Sequence, residues 1–408
     1  MVFAVMRDNG IEVTYEDTNV ILDPARKTDQ QVFITHAHGD HCQGFKSSPE
    51  TYSTRATFDL AQVYAESRSK NRFIELHKTI HFGDVHIQAH NSGHILGSAQ
   101  YEITTPLGNV VYTGDINFRD TLVTQKAEVV PCDLLIIEST YGTPCYFPSR
   151  DYMYERIVKW ATSIIRKKKV PSFQTDALGN AQELITLLNK SAKIPVVTHP
   201  RVSGYSRIYE KFGHRLDFVD AVSEEGKEIV DGGECALIAP KNIDLRGNTC
   251  LDVAFVSGWG SRFSGRRKAF SLSDHSDFYR LLGYVEEAKP KMVLTCHGSF
   301  KSKVTLATKI QRMLKIPSSP LKKSDHTIFD VNIDQTRQSE VVKELMTNIR
   351  PGFTYPRNWL ISTASRSLKR FSREEVENGL SESVKAGKLK YLHESDSYER
   401  QLSKSCSG

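Results

Sequence analysis

The sequence predicts an α/β protein built in several parts, and three observations carry that prediction. Short apolar segments bounded by Gly, Asp or Asn dominate the first third, and from about residue 150 they alternate with helix-spaced segments. Four side chains of metal-ligand type follow one of those short segments directly. The last part of the chain has a different texture, a capped helix and then a hairpin, behind a Pro/Ser-rich stretch.

Composition sets the outer limits. The chain has 408 residues, 39% hydrophobic and 25% charged, which is ordinary globular usage. At roughly 100–200 residues per domain, that length allows two to four domains. Enough apolar surface is present to exclude full disorder, and 25 Gly with 15 Pro exclude a collagen-like design. No run reaches the ~18 apolar residues of a membrane span, and the apolar start is too short for a secretory signal. A soluble, cytoplasmic protein with no membrane partner is the expectation. Seven cysteines without a C-x-x-C pair agree with a reducing compartment. A net charge of +6 permits a polyanionic partner without requiring one.

Taken in order, strands are expected over residues 11–15, 19–22, 32–35, 85–89, 99–104, 110–113 and 134–137, with a helix over 57–67. Tyr154, Ile157, Val158, Ala161 and Ile165 mark one face of a helix over 152–166. A second helix covers 181–188, and strands fall at 195–198, 235–239 and 253–256. Residues 316–323 (IPSSPLKK) read as a linker, so the catalytic core is expected to end before them. Beyond, Ser372 and Glu375 form a capping box, Val376, Leu380 and Val384 an apolar stripe, and Gly387 a C-cap. Residues 388–392 and 398–402 can pair, and helices followed by a hairpin suggest a winged helix-turn-helix.

The chemistry is concentrated in His36-Ala-His38-Gly-Asp40-His41, at the end of the strand over 32–35. Imidazoles and a carboxylate suit Zn²⁺ and similar borderline cations, and four such groups can serve two ions. Further candidates sit beside glycines at other strand ends: His94, Asp115 and His297. Singly each could be a satisfied turn residue, but together they predict one convergent site.

This ordered set resembles the metallo-β-lactamase superfamily, an αββα sandwich with two metals in its groove. Asp23, ending the strand over 19–22, resembles that superfamily's first acidic motif. Glu138-Ser-Thr-Tyr-Gly, Ser271-Leu-Ser-Asp-His275-Ser-Asp and Cys296-His297-Gly resemble motifs A, B and C of its β-CASP branch, which contains nucleases of DNA and RNA. The resemblance covers about residues 1–315. It implies a core over 1–150 and 251–315, an inserted β-CASP cap over 151–250, and an appended linker and winged-helix-like domain over 316–408.

The resemblance also assigns roles. His36, His38 and His94 would hold one metal, Asp40, His41 and His297 the other, with Asp115 bridging and Asp23 orienting a ligand imidazole. Two Zn²⁺ are implied, with Mn²⁺ as the alternative. His275 would be the general acid and Glu138 its partner, and Asp40 is counted with them as catalytic. The wording around Glu138, Ala177-Leu-Gly-Asn180 and Phe255-Val-Ser-Gly-Trp259 is closest to ligase-associated DNA exonucleases. Asn180 stands where those relatives usually carry Lys or Arg, and a His at motif C is often associated with RNA.

Basic clusters point to a nucleic-acid partner, DNA or RNA, expected to be single-stranded. Arg266, Arg267 and Lys268 precede motif B, while Arg366, Lys369 and Arg370 lie in a stretch over 350–373 free of acidic residues, interleaved with aromatics. The run over 166–169 reads as a helix C-terminus. The remaining histidines (His77, His81, His86, His90, His199, His214, His326 and His393) read as surface or satisfied residues. The expected function is a di-zinc nuclease, leaning to an exonuclease of DNA ends, with mRNA 3′-end-type RNA processing as the alternative. A small-molecule hydrolase and an inactive nucleic-acid-binding scaffold are weaker readings, and the C-terminal domain could instead bind a protein.

Overall fold

A computed structural model describes residues 3–6, 9–245, 247–262, 268–321 and 326–329, and, further on, 354–357, 360–361, 373–385, 389–392, 395 and 397–400. The chain divides into two compact units, Met1–Phe329 and Asp330–Gly408.

The first unit opens with β1 (Phe3–Met6), β2 (Ile11–Tyr15), β3 (Thr18–Leu22) and β4 (Gln31–Phe33). Short helices α1 (Gly44–Ser47) and α2 (Arg55–Ala61) flank β5 (Glu50–Ser53), and β6 (Lys70–Phe73) follows. A second run holds β7 (Thr79–Phe82), β8 (Val85–Asn91), β9 (Ala99–Thr105), β10 (Gly108–Tyr112) and β11 (Leu134–Glu138). Alternation is plain in β2, where Ile11, Val13 and Tyr15 are buried and Glu12 and Thr14 less so. β11, buried at all five positions, has lost that alternation, as a strand covered on both faces does.

The inserted region contains α3 (Arg150–Ile165), β12 (Val170–Thr175), α4 (Asn180–Leu187), β13 (Val196–Thr198), α5 (Pro200–Lys211), β14 (Val219–Asp220), α6 (Glu224–Gly232), β15 (Ala236–Pro240), β16 (Leu251–Val256) and β17 (Lys268–Phe270). The chain then returns to the second sheet through α7 (Phe278–Ala288), β18 (Met292–Cys296), α8 (Phe300–Met313) and β19 (Ser318–Pro320), and to the first through β20 (His326–Phe329).

Among the described residues, two seven-stranded sheets result, ordered β20-β1-β2-β3-β4-β5-β6 and β19-β18-β11-β10-β9-β8-β7. They face one another: the Phe33 and Tyr101 rings meet edge to face at 5.3 Å, and Tyr101 donates to the Ile34 carbonyl. α7 and α8 cover the outer face of the second sheet through Leu281, Val285, Leu306 and Ile310 against Leu135, Ile137 and Val293. Phe45 and Phe58 of the short helices pack on Val32 and Ile34 of the first. This is the expected αββα sandwich.

The third sheet, β14-β13-β15-β12-β16-β17, is wholly parallel. It corrects the boundary expected at residue 250. β16 and β17 pair beyond β12, so the inserted region runs on to Phe270. Residues 316–323 are corrected too. Ser318–Pro320 forms an edge strand parallel to β18, and Leu321 is buried. A proline is tolerated there because an edge strand leaves one row of N–H groups unpaired, which is also why the segment reads as a linker. β20 then pairs with β1, so the first unit extends to Phe329.

In the second unit, α9 (Arg373–Lys385) precedes the antiparallel pair β22 (Leu389–Leu392) and β23 (Ser397–Arg400), with β21 (Thr354–Pro356) on the far side of β23. Val376 and Leu380 pack with Leu360, Ile361, Leu389 and Tyr398. The hairpin therefore forms; Ser372, Gly387 and the rest of the expected winged helix lie outside the described residues.

Candidate metal centre

Strand ends bring the candidates together. Asp23 follows β3, His36 follows β4, His94 follows β8, Asp115 follows β10, Glu138 ends β11 and His297 follows β18. Asp23 and His297 both hold left-handed backbone, φ 51° in each. Such conformations cost about 1–3 kcal/mol and persist only where the surroundings fix them. Gly114 lets this packing happen: a Cβ on it would lie 2.8 Å from the Thr35 side chain.

Asp115 is the hub. Its Oδ1 lies 3.6 Å from His41 Nε2, and its Oδ2 lies 3.5 Å from His36 Nε2 and 3.8 Å from both His94 and His275 Nε2. Ligand atoms of His36, His38, His94 and Asp115 lie within 4.8 Å of one another, as do those of His41, Asp115 and His297. The two groups share only Asp115, one oxygen turned to each side. Asp40 joins neither: its side chain is 82% exposed, with Oδ2 3.7 Å from His41 Nε2.

Each imidazole has one nitrogen held by an oxygen of the protein, which fixes how the ring is turned. His41 Nδ1 donates to Asp23 Oδ2 at 2.8 Å, and His94 Nδ1 donates to the Asp274 carbonyl at 2.9 Å. The Thr35 hydroxyl donates to Asp23 Oδ2, so its oxygen accepts from His36 Nδ1 at 2.9 Å. The Tyr112 hydroxyl likewise donates to Asp23, and therefore accepts from His297 Nε2 at 2.6 Å. His38 Nε2 reaches the Leu178 carbonyl at 3.4 Å.

What remains fits cations. His36 Nε2 is buried with no hydrogen-bond partner, a costly state for a polar atom. His94 Nε2 and His38 Nδ1 lie 3.0 Å apart, close enough to share one ion or, without it, one proton. The Asp115 contacts of 3.5–3.8 Å exceed hydrogen-bond length yet approach the ~3.3 Å between two ligands on one tetrahedral ion with ~2.0 Å bonds.

The electrostatics agree. Burial, reinforced by neighbouring imidazoles, holds His36 well below its ordinary value. Burial also pulls His94 down to about 3, against Asp274. Both are kept in the neutral, ligating form. Burial acts the same way on His41, but Asp115, Asp23 and Asp40 outweigh it and hold the ring up at about 10, so this spot attracts positive charge. Burial pushes the Asp115 carboxyl up, opposed by His41 and His275.

His275 and Glu138 stand beside the hub. Both Glu138 oxygens are occupied: Oε1 accepts from His275 Nδ1 and from the Ile116 N–H, each at 2.9 Å, and Oε2 accepts from the Thr140 N–H at 3.2 Å. Burial alone would raise this carboxyl, yet His275 and those bonds hold it well below the usual range. His275 is correspondingly raised, burial notwithstanding, by Glu138 and Asp115. His275 lines a cavity of about 450 Å³, together with Asp115, Lys241, Trp259, Tyr141 and Asn180.

Tyr112, Thr35 and the Asp274 carbonyl escape sequence reading. A tyrosine within a buried strand looks like core, and its hydroxyl's partners are 89 and 185 residues away. Of the basic candidates, Lys268 is exposed on β17, its Nζ 5.2 Å from the Phe270 ring. Arg266, Arg267, Arg366, Lys369 and Arg370 lie outside the described residues.

No protein-family model matches the chain. Integrator complex subunit 11 of Gallus gallus is 30% identical over 405 residues, covering 76% of this chain and 67% of that protein. The chain belongs to the β-CASP branch of the metallo-β-lactamase superfamily. Two other relatives are similar in sequence. An RNase J-like protein of Methanocaldococcus jannaschii is 22% identical, covering 74% of this chain and 89% of that protein. A protein described as "Probable DNA ligase" from Opitutus terrae is 28% identical over 278 residues, which are 65% of this chain but only 26% of that much longer protein. Among the described residues no helix is long and apolar enough to cross a membrane.

Proposed function

We propose that this β-CASP protein is a di-metal phosphodiesterase that shortens single-stranded nucleic acid, with DNA ends as its leading substrate. The observation that carries the reading is the Asp115 carboxylate, one oxygen turned to each of two imidazole groups, with His275 alongside. His36, His38, His94 and Asp115 would hold one ion, His41, Asp115 and His297 the second, with Asp40 at its edge. An imidazole-rich site with carboxylate suits Zn²⁺ best, with Mn²⁺ next. When bound, such ions supply a nucleophile from water near neutral pH and neutralise charge on the phosphoryl oxygens.

The chain's own groups do the rest. Glu138 fixes His275 with its proton-bearing Nδ1 inward, leaving Nε2–H for the leaving oxygen of the nucleotide. Asp23 takes hydrogen bonds from His41, Thr35 and Tyr112, and so orients the second group of imidazoles at a distance from the substrate. Lys241, paired with Asp176, and the tilted Trp259–Tyr141 pair at 4.6 Å offer a phosphate contact and a stacking surface within the cavity. A cavity of this size takes one nucleotide unit rather than a folded polymer.

An RNA reading has its own support in the long match to the RNase J-like relative. The deciding assay uses end-labelled single-stranded DNA and RNA of equal sequence, each with phosphate or hydroxyl at either end. The expected result is metal-dependent stepwise shortening, faster on DNA. Shortening of RNA alone moves the substrate to RNA, and cleavage of neither overturns the proposal.

A further inference from the structure

The β7–β8 hairpin carries a second histidine cluster that shares no residue with the Asp115 groups. Ligand atoms of His77, His90 and Glu128 lie within 4.8 Å of one another. His77 Nε2 is 3.5 Å from Glu128 Oε1, and His90 Nδ1 is 3.7 Å from Glu128 Oε2. Both spacings are too long for hydrogen bonds, and both approach the ~3.3 Å expected between ligands on one tetrahedral ion. One carboxylate again presents a different oxygen to each imidazole.

The tautomer of His90 is fixed for ligation. Its Nε2 lies 3.0 Å from Glu102 Oε2 and donates to it, which leaves the Nδ1 lone pair toward Glu128. A carboxylate behind a histidine in this way orients the ring and strengthens it as a ligand.

The three ligands come from separate segments, each tied to β8. The His77 N–H donates to the Ala89 carbonyl at 2.8 Å, and the Gln88 amide donates to the His77 carbonyl at 2.8 Å. The Glu128 N–H donates to the Asn91 carbonyl at 3.1 Å, and its own carbonyl accepts from Gln100 at 2.6 Å. Along β8, His86, Gln88 and His90 alternate with buried Val85, Ile87 and Ala89, so the cluster lies on the face turned away from the core.

From this geometry we infer that His77, His90 and Glu128 form a third metal site, for a borderline divalent transition ion such as Zn²⁺. Two imidazoles and one carboxylate are the donor set such ions favour. The ion is structural. It ties the turn before β7 and the loop before β11 to the end of β8, three residues ahead of His94.

The test compares zinc per chain in full-length proteins stripped with a chelator and re-equilibrated with Zn²⁺. His77→Gln/Glu128→Gln removes two half-exposed or exposed ligands. His90→Gln keeps a donor for Glu102 while removing the free ring nitrogen. Both variants are expected to hold one zinc fewer than the wild type, and to lose the part of the zinc-dependent rise in thermal midpoint that this ion provides. Because the readout is a difference, it stands whether or not the Asp115 groups load as proposed. Equal zinc content in all three proteins overturns the inference and leaves the cluster as an ion-paired surface patch.

Discussion

Glu138→Gln tests the division of labour most directly. In the wild type, the carboxylate meets three donors: the His275 ring, the Ile116 N–H and the Thr140 N–H. An amide removes the charge and turns a donor toward one of them. A hydrogen bond to a charged partner contributes about 1.5–3 kcal/mol. At ~1.4 kcal/mol per tenfold, losing that hold on His275 should lower kcat by about 10- to 150-fold. His275→Ala, which removes the acid itself, should lose roughly 10²–10⁴-fold. Each variant should keep its metal, since neither residue is assigned to an ion. The assay pairs a nucleic-acid substrate with bis(p-nitrophenyl) phosphate, whose leaving group departs without a proton. Both defects should shrink on the nitrophenyl ester. Equal losses on the two substrates, or metal lost together with activity, would refute the acid assignment and make His275 a ligand or a prop for Asp115.

Three more expectations follow from the same geometry. Asp115→Ala should empty both positions rather than one, read as metal per chain, because its two oxygens face different imidazole groups. Tyr112→Phe, which frees His297 and one bond to Asp23, should weaken metal binding by about 10–100-fold in a chelator competition. A chain ending at Phe329 should still hydrolyse bis(p-nitrophenyl) phosphate, whereas one ending at Leu314 should not fold, because it lacks the edge strands Ser318–Pro320 and His326–Phe329. If the second unit binds nucleic acid, the Phe329 chain should also bind it more weakly, with a flatter salt dependence.

The sequence by itself determined the local features. Period-two burial in Ile11–Tyr15, the apolar stripe of Arg150–Ile165 and the buried Val376 and Leu380 of Arg373–Lys385 follow from side chains a few residues apart. The run from His36 to His41 announced its chemistry for the same reason: four ligand-type groups within six residues cannot move far from one another. Strand-end glycines pointed to His94, Asp115 and His297, but only as separate candidates. Tertiary structure decided what each of them faces. It gave Asp115 one oxygen for each group, left Asp40 at the rim, and made Tyr112 a link between Asp23 and His297. It also turned a Pro/Ser stretch into an edge strand and grouped Glu128 with His77 and His90, histidines that read singly as surface or satisfied residues. The physical reason is range. Periodicity and capping are set by neighbours along the chain, whereas a hydrogen bond between Glu138 and His275 spans 137 residues and exists only once the sheets have folded.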